Sequence, residues 1–513
     1  MKEDKFKTAK NVGFDNERYL REQTASILER VNRFNQKLYL EFGGKILYDY
    51  HASRVLPGFD PNVKMRLLQT LRDKIDVILC IHAGDIERKK IRADFGISYD
   101  SDALKTIDDF REWGIDITAV VITRYQNQSP AREFRNKLAI RGIKVYLHSP
   151  TKGYPTDVDL IVSDAGYGAN PYIETSKPIV IVTGPGPGSG KLATCLCNLY
   201  HEYKRGVKAG YAKFETFPIW DLPINHKVNI AYEAATIDLM DEVLEDAHHL
   251  KAYNISVVNY NRDIEAFNLL KRILEKITGG ESMYRSPTDM GVNRASSGII
   301  DDKVISDASH QEIVRRYLRC EVEYVLGIVE RNQLTWADGI MKRAGAVASD
   351  RKVVLPARQA AVEAETRGKG NNGVFCGAAI ELHDRRIITG KNSPLMHAAS
   401  SLILNAVKHL AGLPDSLHLL PKNIIDSVTY LKKDILKGRM VSLDVEEMLI
   451  LLSVSALSNP AAQLALENLK KLEECEVHLT HIPTPGDEAG LRKLHLNVTC
   501  DPEFSSKSLF VGR

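Results

Sequence analysis

The stretch PIVIVTGPGPGSGKLATCLCNLYHEYKR, residues 178–205, constrains this chain more than any other. Residues 179–182 are a short apolar, β-branched run, which reads as a buried parallel strand. Gly184, Gly186, Gly188 and Gly190 then alternate with Pro185, Pro187 and Ser189, and Lys191 follows at once. Beyond it Leu192, Cys195, Leu196, Leu199 and Tyr203 fall at helical spacing, so a helix is predicted to begin near Lys191. Strand, glycine loop, lysine and helix in that order suit a phosphate. Glycines let backbone amides approach an anion and permit positive φ. The helix N-terminus adds orphan N–H donors and a partial positive charge, and the lysine adds a point charge. The predicted binding residues are Gly184, Gly186, Gly188, Ser189, Gly190, Lys191 and Thr194.

The loop is P-loop-like without matching that pattern, which asks for glycine, four residues, then Gly-Lys and a hydroxyl residue. Here the leading glycine stands one position too early, at Gly184. Leu192 replaces the hydroxyl that would hold magnesium, and Thr194 is the nearest substitute. The two prolines remove backbone donors. The plain alternative is a glycine-proline turn capped by a lysine.

Ahead of the loop, short apolar runs at residues 38–42, 76–81, 117–122, 144–147 and 160–162 alternate with helical patterns at 15–35, 63–74, 101–113 and 130–140. Alternation of this kind predicts a doubly wound, Rossmann-like parallel sheet with helices on both faces. Ligands of such sheets lie beyond the carboxyl ends of the strands, where His82, Asp85, Arg124 and Asp164 are also expected. The GGK turn at 43–45 is a second anion candidate, more simply a turn. Residues 204–226 mix Lys204, Arg205, Lys208 and Lys213 with Phe214, Phe217 and Trp220, and could line a pocket next to the loop. Residues 286–302 hold Asp289, Asn293 and Arg294 among turn formers.

Later residues read as helical from 308 to 369, with breaks at Gly345 and Pro356. A hairpin follows around residues 382–385, then more helices, and two strands at 476–480 and 493–498 around a PTPGDEAGL turn. The fold class is therefore α/β, divided into an α/β domain (1–228), a mainly helical region (229–370) and an α+β C-terminal domain (371–513). A chain of 513 residues is too long for one core. Its net charge of +3 makes no case for a nucleic-acid or membrane surface. Seven cysteines without metal-like spacing predict reduced thiols in a cytoplasmic protein. A homo-oligomer is the default expectation.

Three functions stay open. The first is a phosphoryl-transfer or nucleotide-dependent enzyme binding a nucleotide or other phosphorylated small molecule, with ATP or another nucleotide plus magnesium as cofactor. In it Lys191 and the loop hold phosphate, Thr194 or Asp164 holds the metal, and Asp289 with Asn293 orients the acceptor. The second is a sensor of an anionic metabolite that does no chemistry, favoured by the missing hydroxyl. The third is a nicotinamide-dependent oxidoreductase, disfavoured because no ribose-binding acid follows at the expected spacing.

The stretches YLEFGGK, RVLPGFDPN, KGYPTDVDLIVSD, GYGANPYIET, TGPGPGSGKLATC, GYAKFETFPIW, NYNRD, SPTDMGVN and ITGKNSP together resemble one family of bacterial proteins built on a conserved domain of unknown function. The resemblance runs over nearly the whole chain. It implies a cytoplasmic bacterial protein with an N-terminal α/β part and a helical plus α+β C-terminal part, and it implies no activity. The chain departs from the family at HDRR, where a tighter Asp-Gly hairpin turn is expected.

Overall fold

The computed structural model describes residues 12–34, 37–92, 96–438 and 441–505. These fall into two compact units, residues 12–233 with 241–309, and residues 234–240 with 310–505.

The first unit is built on a six-stranded parallel sheet. Its strands are β1 (Lys37–Phe42), β2 (Ile75–His82), β3 (Ala119–Thr123), β4 (Val145–Leu147), β5 (Ile179–Thr183) and β6 (Ala209–Phe214). They lie in the order β4-β3-β2-β5-β1-β6. Helix α1 is Asn16–Phe34, α2 is Tyr99–Glu112, α3 is Ser129–Ile140, α4 is Lys191–Lys204 and α5 is Asn261–Thr278.

Strand side chains alternate between two cores. Ile78, Cys80, Val180 and Val182 pack with Cys195 and Leu199 of α4 and Phe267 and Leu274 of α5. Leu79, Ile81, Val120 and Ile122 pack on the other face with Ala103 and Ile107 of α2 and Phe134 and Leu138 of α3. A strand covered on both faces must be apolar at consecutive positions, which is why these runs read as continuous β-branched stretches. Connections from β2 and β3 stay on one face, while the α4 connection from β5 to β6 crosses β1 on the other. Neighbours β2 and β5 thus send their chains to opposite faces, and the crevice beyond their ends is the topological switch point.

Several expectations need correction. The apolar residues at 160–162 are not a strand: Asp157 accepts a hydrogen bond from the Leu160 amide and starts a short helix, Val158–Ile161. The helical pattern at 101–113 begins two residues earlier, at Tyr99, preceded by Ser98. The run Ala209–Phe214, read only as part of a basic connector, is the edge strand β6.

The second unit carries a four-stranded sheet of β7 (Gly377–Glu381), β8 (Ile387–Lys391), β9 (Glu476–Leu479) and β10 (Asn497–Cys500), ordered β8-β7-β9-β10. The β7–β8 hairpin turns at the expected residues. Helices α6 (Arg331–Ala344), α7 (Val354–Thr366), α8 (Ala398–Leu410) and α9 (Val445–Ala456) belong to the same unit. Ile380, Leu402, Val407, Met448, Leu452 and Val477 share its main core. Gly345 ends α6 in a left-handed conformation, φ +61°. Pro356 does not break the chain: it sits in the first turn of α7, where a missing N–H costs nothing. The PTPGDEAGL stretch is a capped helix, Pro485–Lys493, rather than a turn. The final strand accordingly starts later than the pattern suggests, at Asn497.

Candidate functional site

The glycine loop leaves the carboxyl end of β5 and closes on the start of α4. Gly188 and Gly190 adopt φ +75° and +92°, backbone that a side chain strains against. Three glycines are also required by space. A Cβ on Gly184 would meet Ser189 Oγ at 2.4 Å, one on Gly186 the Tyr99 hydroxyl at 2.8 Å, and one on Gly190 the Thr123 side chain at 2.7 Å. Thr123, at the end of β3, donates its hydroxyl to the Ser189 carbonyl at 2.7 Å. Ser189 is itself buried. The Ser189 carbonyl is thereby tied inward. Among the described residues, no amide from 186 to 193 donates to a protein acceptor. Lys191 bends back over the loop, with Nζ 3.3 Å from the Gly186 carbonyl and 3.5 Å from Ser189 Oγ.

Cations gather around this end of the sheet. Lys90 Nζ lies 5.0 Å from the centre of the Tyr99 ring, whose hydroxyl abuts Gly186. Arg124 follows β3 at φ +51°. His82 Nδ1 accepts from the Asp85 amide and caps the short helix Ala83–Glu87. Burial, together with Arg124, Arg88 and Lys90, outweighs Asp85 and holds the imidazole below its usual pKa.

A second group lies two strands away at the same end. In the parallel register Glu41 stands beside both Val182 and Lys213, so all three point to the α4 face. Lys213 Nζ contacts Asp263 carboxylate oxygens at 2.6 and 2.8 Å and Glu215 Oε1 at 3.3 Å, and it donates to the Tyr260 hydroxyl. Tyr260 in turn donates to Glu215 Oε1 at 3.2 Å, and Tyr211 to Glu41 Oε2 at 2.8 Å. Burial pulls the lysine pKa down, but Asp263, Glu215 and Glu41 more than offset it, so the ammonium stays charged. For Glu215 burial acts first and Asp263 and Glu41 add to it. Lys213 opposes them, and the carboxyl is raised to about 7. The side chains of Lys213, Glu215 and Asp263 are 13%, 20% and 25% exposed, so solvent reaches all three.

Residues 12–345 match the domain of unknown function DUF1846, N-terminal, and residues 349–510 match its C-terminal domain. The chain belongs to the DUF1846 family. A UPF0371 protein of Clostridium tetani is 55% identical over 499 residues, covering 97% of this chain and 99% of the relative. A UPF0371 protein of Clostridium botulinum strain Langeland is 55% identical over 500 residues, and one of strain Alaska E43 is 53% identical over 499, each with the same coverage. The family read from the sequence stretches is thus the one the chain belongs to.

Within this DUF1846 chain the expected site residues divide. Gly184, Gly186, Gly188, Ser189, Gly190 and Lys191 form one loop. Thr194 is buried in the core, where its Oγ1 accepts from Cys80 Sγ at 3.4 Å. Burial pushes the Cys80 thiol up to about 12. Asp164 is 87% exposed and engages Tyr200 and Lys204, far along α4 from Thr194. Asp289 completes a capping box at Pro287–Met290 and also accepts from the Tyr253 hydroxyl at 2.8 Å. Asn293 does reach the second group: its Oδ1 accepts from the Glu215 amide at 2.7 Å. Glu215, Asp263, Tyr260 and Glu41 were not singled out from sequence. Of these only Glu215 has a counterpart in the glycine pair at 43–44, since a Cβ on Gly43 would lie 2.5 Å from Glu215 Cγ.

All seven cysteines are buried free thiols. Among the described residues no helix is long and apolar enough to cross a membrane, and no group of three or more His, Cys, Asp or Glu side chains is arranged to hold a metal ion.

Proposed function

We propose that this DUF1846 protein binds the phosphate group of a phosphorylated small molecule, a nucleotide or sugar phosphate, at residues 184–191. One observation carries the reading: the unpartnered backbone N–H groups of Gly186 and of residues 188–193 open a helix of 14 residues, with Gly188 and Gly190 in left-handed backbone. Orphan amides and the helix dipole together favour an anion. Lys191, Lys90 and Arg124 add positive charge around it. The loop's position at the switch point of the sheet is where ligands of doubly wound folds bind.

Binding by amides and lysine suits this loop better than magnesium-assisted nucleotide hydrolysis does. Thr194, the first hydroxyl residue after the lysine in the chain, is turned into the core and bonded to Cys80.

Thermal unfolding with pyrophosphate, nucleotides and sugar phosphates tests the reading. A ligand that binds only the native form stabilises it by about 2.7 kcal/mol at a hundred times its dissociation constant. Wild type is expected to melt higher with at least one of these compounds, and Lys191→Ala to lose most of that shift. Equal shifts in both proteins, or none in wild type, contradict it.

A further inference from the structure

We propose that Glu215 and Lys213 form a proton-transfer centre acting on the carbonyl end of a sugar phosphate whose phosphate occupies residues 184–191. The inference rests on the phosphate reading and adds a reaction to it.

The geometry points to it in three ways. First, the distance fits. Strand β5 carries the loop, β6 carries Lys213 and leads into Glu215, and only β1 lies between them. Two strand spacings put the centre about 10 Å from the loop, roughly the span of a sugar phosphate. Second, both lie on one face. Glu41, Lys213 and Val182 share a register row facing α4, whose first residue is Lys191. Cys195 on that helix feels both Glu41 and Lys191. Third, the groups are held in place. Gly43 makes room for Glu215, Asn293 anchors its amide, and Asp263 fixes the Lys213 ammonium. Hydroxyl, carboxylate, amide and ammonium groups crowded together also suit a polyhydroxylated ligand.

In the step, the Glu215 carboxylate takes a proton from the carbon next to the substrate carbonyl. The C–H electron pair forms the C=C bond of an enediolate, and the carbonyl π pair moves to oxygen. The Lys213 ammonium faces that oxyanion. The resulting carboxylic acid returns a proton to carbon, so no oxidant or second substrate is needed. The groups facing Glu215 are Lys213, Glu41, Asp263 and the Tyr260 and Tyr232 hydroxyls, and they leave it near the pKa a general base needs at neutral pH.

Proton exchange in D2O, followed by NMR over a panel of triose to hexose phosphates, tests this. Wild type is expected to replace the proton next to the carbonyl of at least one compound by deuterium. Glu215→Gln should slow that exchange at least 100-fold while retaining binding of the same compound. Glu215→Asp, which keeps a carboxylate and guards against a folding artefact, should retain a measurable fraction. Lys191→Ala should raise the concentration needed for half-maximal exchange. If wild type binds sugar phosphates through Lys191 but exchanges none, this inference falls and the phosphate reading stands. Exchange by Glu215→Gln at the wild-type rate also overturns it. If wild type binds no phosphate compound, both fall.

Discussion

Glu215 occupies the space a side chain on Gly43 would need, its Cγ lying 2.5 Å from where a Cβ would stand. The glycine follows β1, the glutamate follows β6, and the contact joins the ends of two neighbouring strands at the carboxyl side of the sheet. Gly43 is therefore required by a partner 172 residues away rather than by a turn. Gly43→Ala forces Glu215 out of its contact with Lys213. The expected loss is about 1–3 kcal/mol, the usual range for overpacking, read from urea unfolding. Glu215→Ala should rescue most of it, because it removes the obstacle.

Gly190 is constrained twice, by φ +92° and by Thr123 at 2.7 Å. Gly190→Ala should lower stability by about 1–3 kcal/mol. The double variant with Thr123→Ala should recover only the steric share, because the backbone strain remains. Full recovery in urea unfolding would show that conformation plays no part.

Glu215 also predicts a pH dependence. Its folded pKa, raised to about 7 by burial with help from Asp263 and Glu41, exceeds the unfolded value. A raised pKa means the folded state binds the proton more tightly. That stability is fully present at pH 4 and is lost as pH rises through 7. Between pH 5 and 8.5 wild type should lose on the order of 3 kcal/mol more than Glu215→Gln. Parallel stability curves for the two proteins would contradict this.

Asp501 behaves in the opposite sense. Burial works against its charge, but hydrogen bonds from His478 and Arg358 prevail and bring it down to about 2. A lowered pKa contributes stability above the unfolded value, near 4, that disappears as pH falls toward 2. Asp501→Asn should cost about 2 kcal/mol at pH 6 and flatten the acid limb of the unfolding curve.

The parallel sheet was legible because strands covered on both faces need consecutive apolar residues, which β2, β3 and β5 supply largely as Val and Ile and β1 as Leu38, Tyr39 and Leu40. The same rule misled at residues 160–162, where an equally apolar run follows a capping Asp157 and becomes helical. It also hid β6, whose Gly210, Ala212 and Lys213 do not look like a strand. Lys213 can sit inside only because Asp263 and Glu215 pair with it, and pairing between residues 50 apart leaves no local pattern. The glycine loop was visible as a contiguous motif. The direction Thr194 faces was not, since its partner Cys80 lies on a strand 114 residues earlier. Contiguous chemistry could be read along the chain, whereas the ionic centre is assembled from residues 41, 213, 215, 260 and 263.

A crystal of the protein grown with pyrophosphate tests the central claim most directly. The account predicts phosphate density within hydrogen-bonding distance of the Ser189, Gly190 and Lys191 amides, with Lys191 Nζ released from the Gly186 carbonyl to meet it. An unchanged, empty loop at saturating pyrophosphate, with Lys191 still on Gly186, would contradict it.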